Sequence, residues 1–194
     1  MDRQAFWTEA HKQHDHYWLA GTTPEMIVQH YGAPLPVGRF VTEIGVGLGH
    51  ITRELHKTNV VTAVDIVPKA LETIAGAYDT GLGIQHLAQA TPADWAICHL
   101  VFQHCEEKMV RFILRETPLA AGGVFLFQTA YPVAEHVSVT DEGRVARGEL
   151  IWHTGSQVAV WAAQEGLEVF WKRGVLFNDG PVGWTLFKAH RRAP

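Results

Sequence analysis

Glu43 lies within one apolar run and Asp65 closes another, and twelve histidines supply groups able to move a proton near neutral pH. The first run, Phe40-Val41-Thr42-Glu43-Ile44, passes into Gly45-Val46-Gly47-Leu48-Gly49-His50. Its apolar residues suit a buried parallel strand, and Ile51 and Leu55 suit a following helix. The glycine turn between them lets the backbone take positive φ and approach a ligand, while the free N–H groups of the helix start attract negative or electron-rich groups. The second run, Val60-Val61-Thr62-Ala63-Val64, is closed by Asp65 and Ile66. A carboxylate has two oxygens and a ribose diol two donors, so an acid at that strand end can hold a nucleoside; the competing reading is a solvated strand-end acid. A dinucleotide would want G-x-G-x-x-G. Here the third glycine comes one place early and His50 stands in its position, so a nicotinamide cofactor is the weaker expectation.

The whole string Glu43-x-Gly45-x-Gly47-x-Gly49 resembles the first motif of the class I, Rossmann-like S-adenosylmethionine-dependent methyltransferases. The likeness covers most of residues 38–130, strongly at the start and loosely at the end. It implies that Glu43 helps hold the methionine end of S-adenosylmethionine, that Gly45, Val46, Gly47 and Gly49 form the turn against it, and that Asp65, with Ile66 beside it, takes the ribose. Ile84 to Ala90 is expected as the third strand, with Gln89 where many members carry an Asp that meets the adenine amino group; the glutamine oxygen can still accept that bond. Trp95 to His104, introduced by Asp94, resembles the fourth strand and the loop beneath the cofactor, which adds His99 to the cofactor set. Leu119 to Phe127, with Gly122-Gly123 inside it, resembles the lead into the fifth strand.

These elements imply an α/β fold: a single doubly wound Rossmann-like domain with helices on both faces of a seven-stranded mixed sheet, its last strand antiparallel, and two leading helices. The leading helical cap spans residues 1–37, the cofactor-binding core 38–130, a substrate lid 131–150, and the final helix with the terminal strands 151–194. In the cap, Phe6, Trp7, Ala10, His14, Tyr17 and Trp18 fall near helical spacing, and Thr22-Thr23-Pro24-Glu25 opens a second helix that stops at Tyr31-Gly32. The lid reads as a hairpin or flap around Asp141-Glu142-Gly143, and the alternative is a surface excursion with no role. Thr154-Gly155-Ser156 leads into a helix through Ala163, Leu167–Trp171 and Trp184–Ala189 are strands, and Asn178-Asp179-Gly180-Pro181 joins them.

A sulfonium is an activated methyl donor, so the protein needs chiefly to align the acceptor and, for a hydroxyl or amine, to remove a proton. His104, after the fourth strand, is the first candidate base, followed by His99, His136 and His153; the competing reading of His104 is packing. Tyr17, Trp18, Tyr131 and His136 are candidate substrate contacts, with simple packing as the alternative for the two aromatic residues of the cap. His11, His14, Asp15 and His16 are of metal-ligand type, but a helix cannot aim all four at one ion. Cys98-His99 and Gln128-Thr129 end the fourth and fifth strands where a magnesium site would want acids, so no metal is expected. With 16 basic against 20 acidic residues and no Asn-Pro-Pro-aromatic string, nucleic acid is not the expected partner. Two cysteines, Cys98 and Cys105, point to free thiols in a reducing compartment. The amino terminus lacks the apolar core of a secretory signal and no run approaches the ~18 apolar residues of a membrane span, so a cytoplasmic protein is expected. Seven tryptophans leave room for a homodimer. The function expected is metal-independent methyl transfer from S-adenosylmethionine to an O or N atom of a small molecule, releasing S-adenosylhomocysteine. A non-methylating elimination or rearrangement on the same fold, or a silent binding module, stands beside it.

Overall fold

The two apolar runs that carry these acids lie side by side in the middle of one sheet. In the computed structural model, which describes residues 23–132, 151–176 and 182–192 together with Ala5, Thr8 and Glu9, they are β1 (Phe40–Ile44) and β2 (Val60–Asp65). With β3 (Thr80–Gly83), β4 (Ala93–Cys98) and β5 (Leu119–Pro132) they form a parallel array. β7 (Val182–Arg191) inserts antiparallel between β5 and β6 (Leu167–Leu176), giving the seven-strand order β3-β2-β1-β4-β5-β7-β6. Only β7 is reversed, as expected. The order turns back between β1 and β4, and the crevice beyond the carboxyl ends of those strands is where open α/β sheets bind ligands.

Among the described residues five α-helices cover the faces: α1 (Pro24–Tyr31), α2 (His50–His56), α3 (Pro68–Thr73), α4 (Glu107–Glu116) and α5 (Gly155–Gln164). Strand alternation decides which core each serves. Val41, Ile97, Leu126 and Leu186 face α1 and α2, where Ile27, Tyr31, Ile51 and Leu55 are buried. Ala96, Cys98, Phe125, Phe127 and Phe187 face α4 and α5, where Val110, Ile113, Leu114, Val158 and Ala162 are buried. α1 begins at Thr23, whose side chain accepts from the Met26 N–H, continues with Pro24 in its first turn, and ends at Gly32 with φ 59°. α5 opens with a capping box between Thr154 and Gln157. Both boundaries follow the local signals in the sequence.

The third strand is where sequence reading misses. Residues Ile84–Gln89 form a 3-10 helix, and β3 is the glycine-containing segment before it, with Asp65 registered against Gly83. Ile84 and Leu87, three apart, are both buried, a spacing that suits a helical turn rather than strand alternation. The strands β6 and β7 also run further toward each other than expected, reaching Leu176 and starting at Val182. Arg191, at the end of β7, binds the helix ends together. Its guanidinium donates to the carbonyls of Glu165 (2.7 Å), Leu114 (2.7 Å) and Thr117 (2.9 Å), closing the last turns of α5 and α4. The first leading helix, apart from Ala5, Thr8 and Glu9, and nearly all of the lid segment lie outside the described residues, as does the Asn178–Pro181 loop.

Candidate cofactor and acceptor site

Each glycine of the turn after β1 holds a conformation that L side chains resist: φ is 77° at Gly45, 53° at Gly47 and 74° at Gly49. At Gly45 a Cβ would also run into the Val101 side chain, and at Gly49 it would stand 2.5 Å from Ile74 Cγ2. Gly49 is the N-cap of α2, and its N–H donates to the Val46 carbonyl at 2.8 Å, which folds the turn tightly over the strand ends. Val46 is buried against Val67, Ala70 and Ile74, and Ile66 packs there half-buried.

The two acids meet this turn from below. Asp65 is 6% exposed, with Oδ2 accepting from the Gly47 N–H (3.3 Å) and Oδ1 from the Val67 N–H (2.9 Å). Burial pushes its pKa up to about 6, against the opposing pull of the backbone N–H groups of Val67, Gly47, Ile66 and Val46. Each carboxylate oxygen keeps a lone pair for a further donor, so the residue fits a ribose diol. Glu43 is 3% exposed and its Oε2 accepts from the Thr52 hydroxyl at 2.7 Å. Burial lifts its pKa to about 8, an effect to which the Asp65 charge adds and which the Thr52 bond opposes. Thr52, which holds Glu43 in place, carried no sequence signal.

Gln89 is placed differently from its expected position at a strand end. It is exposed at the far end of the 3-10 helix, and its side-chain nitrogen lies 3.1 Å from His86 Nδ1. The polar side chain next to the real end of β3 is Gln85, whose amide lies over Gly83 so closely that a Cβ there would be 2.7 Å from Gln85 Nε2. Sequence reasoning passed over Gln85 because the strand itself was misplaced.

Beyond β4 the chain turns sharply: Leu100 has φ 59°, the one non-glycine residue in the left-handed region among those described. His99, just before it, is 6% exposed and packs among the rings of Tyr31 (6.0 Å between centroids), His30 (6.1 Å) and Trp184 (6.1 Å). Burial first, and His30 second, drive its pKa down to about 3, so the ring is neutral. His104 is 8% exposed in the short 3-10 helix Phe102–His104, with its N–H donating to the Val101 carbonyl at 2.9 Å. His153 is tied up structurally. Its Nε2 is 2.8 Å from the Cys105 carbonyl, so that nitrogen carries the proton, and its own carbonyl accepts from the Thr129 hydroxyl. Cys98 and Cys105 are free thiols, and burial holds the Cys98 pKa well above its ordinary value. Tyr131 pairs through its backbone with Gly183, while its side chain, like Tyr17, Trp18 and His136, lies outside the described residues. Among the described residues no cluster of metal-ligating side chains of three or more is found and no helix is long and apolar enough to cross a membrane.

No family model matches the chain, and no curated protein sequence does. Solved structures do match, over nearly the whole length. The N-methyltransferase NodS from Bradyrhizobium japonicum WM9, in complex with S-adenosylhomocysteine, superposes with a TM-score of 0.71 at 15% identity, over 99% of this chain and 100% of that one. A TehB-like SAM-dependent methyltransferase from Corynebacterium glutamicum gives 0.66 at 15% identity, over 97% and 100%. An S-adenosylmethionine-dependent methyltransferase from Mesorhizobium loti gives 0.64 at 18% identity, over 90% and 100%. The chain therefore has the fold of the Rossmann-like S-adenosylmethionine-dependent methyltransferases.

Proposed function

We propose that this protein is a single-domain enzyme that binds S-adenosylmethionine at the turn after β1 and transfers its methyl group, without a metal, to an O or N atom of a small molecule. The observation that carries the reading is the convergence of Glu43, the Gly45–Gly49 turn and Asp65 at the point where the strand order reverses. In this reading Asp65 receives the ribose hydroxyls, the close approach of the glycine backbone admits the cofactor, and Glu43 faces its methionine end. The bound sulfonium supplies the activated methyl group. The chain's task is then to hold an acceptor lone pair in line with it and to take the acceptor's proton where there is one. His104 is the candidate for that proton, and its removal should lower turnover far more than cofactor affinity. Cys98 and His99 at the end of β4 supply no carboxylate, and neither do Gln128 and Thr129, which lie within β5 rather than at its end as the sequence suggests; this supports the metal-independent form.

The test is calorimetric titration with S-adenosylmethionine and S-adenosylhomocysteine, with NAD as control. Saturable binding of the first two alone is the expected result. No binding of either would remove the enzyme reading and turn the search to protein partners.

A further inference from the structure

Among the described residues most buried polar side chains are satisfied: Glu43 by Thr52, Asp65 by two N–H groups, Thr117 by the Ile113 carbonyl and Thr129 by the His153 carbonyl. The exceptions cluster. Among the described residues, the buried side-chain atoms without a partner are His30 Nδ1, Tyr31 Oη, Thr42 Oγ1, both ring nitrogens of His99, Gln103 Oε1 and both amide atoms of Gln128. Six of those eight belong to His30, Tyr31, His99 and Gln128. An unmet buried donor or acceptor is destabilising, so such a concentration needs a cause.

The fold brings these four together from distant segments. His30 and Tyr31 close α1, His99 follows β4, and Gln128 lies on β5 on the strand face shared by Leu126 and Ala130, which pack toward α1. Gln128 acts on His99 as a hydrogen-bonding neighbour that opposes the loss of its proton, so the amide lies beside the ring although no bond of ordinary geometry closes between them. Trp184 of β7 completes a wall of rings, 5.6 Å from His30 and 6.1 Å from His99. Among the described residues the charges acting on the cluster are few: His99 feels the neighbouring His30, and His30 feels Arg173, an exposed residue of β6.

We propose that His99, Gln128, Tyr31 and His30 form the acceptor subsite, and that it takes a planar, uncharged molecule bearing both a hydrogen-bond donor and a hydrogen-bond acceptor. Neutral imidazole, amide and phenol groups each offer or accept such bonds, and ring walls favour a flat partner. A cation would lose its hydration with no opposite charge among the described residues to replace it, and an anion would find only the exposed Arg173. The assignment rests on the proposed function for the word acceptor, but the binding site does not depend on the cofactor.

Three probes of nearly one shape separate the outcomes: benzamide, benzoate and benzamidine, which are neutral, anionic and cationic. The readout is the indole N–H resonance of Trp184, identified by its loss in Trp184→Phe, with S-adenosylhomocysteine titrated into the same samples. Benzamide should shift it saturably, with the two ions at least about tenfold weaker. Gln128→Leu and Tyr31→Phe, which keep shape, should each weaken benzamide while leaving S-adenosylhomocysteine affinity unchanged. Equal response to all three probes, or none in a folded protein, would overturn the subsite; in the latter case buried water fills it. If benzamide behaves as expected but S-adenosylhomocysteine does not bind, the cofactor reading fails and the subsite stands.

Discussion

Glu43 and Asp65 are carboxylates that the fold keeps from water, and their titration should be visible in the whole protein. Glu43 ordinarily loses its proton near 4.5 but holds it to about 8 in the folded state, and Asp65 holds its proton from 3.8 to about 6. Across those windows the two carboxylates bind more protons in the native state than in the unfolded chain, so their contribution to stability falls as pH rises toward 8, and it outweighs the opposite effect of His99, which is held neutral below about 6.5. Chemical denaturation of the ligand-free protein should show a higher midpoint at pH 5 than at pH 8, with a difference on the order of a few kcal/mol. Glu43→Gln should remove most of it. Cofactor affinity should run the other way, weakening below about pH 6 as Asp65 takes up its proton and loses acceptors for the ribose. Asp65→Ala should cost about 1–3 kcal/mol in S-adenosylhomocysteine binding by calorimetry, and unchanged affinity would remove the ribose assignment. His104→Ala should lower kcat by about a hundredfold or more if that ring is the base, and equal rates would make it a packing residue.

Elements whose boundaries are set by neighbours in the chain were legible. Thr23 and Pro24 start α1 and Gly32 stops it, and Thr154 caps α5, because these signals act within one turn. Thr154→Ala should therefore cost about 1 kcal/mol in a denaturant melt, with no effect on ligand binding. β3 was illegible for the opposite reason. Thr80-Gly81-Leu82-Gly83 has little strand preference of its own and is extended because it pairs with Thr62–Asp65, whereas the more apolar stretch after it winds up. The glycine turn mixes both cases. Its spacing is visible in the sequence, but Val101 and Ile74, which forbid a Cβ at Gly45 and Gly49, come from other elements. Gly49→Ala should destabilise the fold by about 2–4 kcal/mol, since a left-handed backbone and a clash with Ile74 coincide.

For the whole molecule, the decisive contacts join ends of the chain that no local pattern links. In the sequence Arg191 carries no signal beyond its neighbour Arg192. In the structure it bonds carbonyls at the ends of two helices, and Arg191→Met should cost about 1–3 kcal/mol by equilibrium denaturation where Arg192→Met costs almost nothing. The same contrast holds for function. The amino-acid sequence alone determined the α/β class, the reversal of the last strand and the carboxylates and glycines at the ends of the first two strands, because a strand, a turn and the next helix are consecutive and their chemistry is local. Only the tertiary structure decided that Thr52 holds Glu43, that Gln85 rather than Gln89 adjoins the third strand, and that His30, Tyr31, His99, Gln128 and Trp184 form one buried cluster. Strand register and crossover place those side chains on a common face, and a one-residue change in register would send each strand residue to the other side of the sheet.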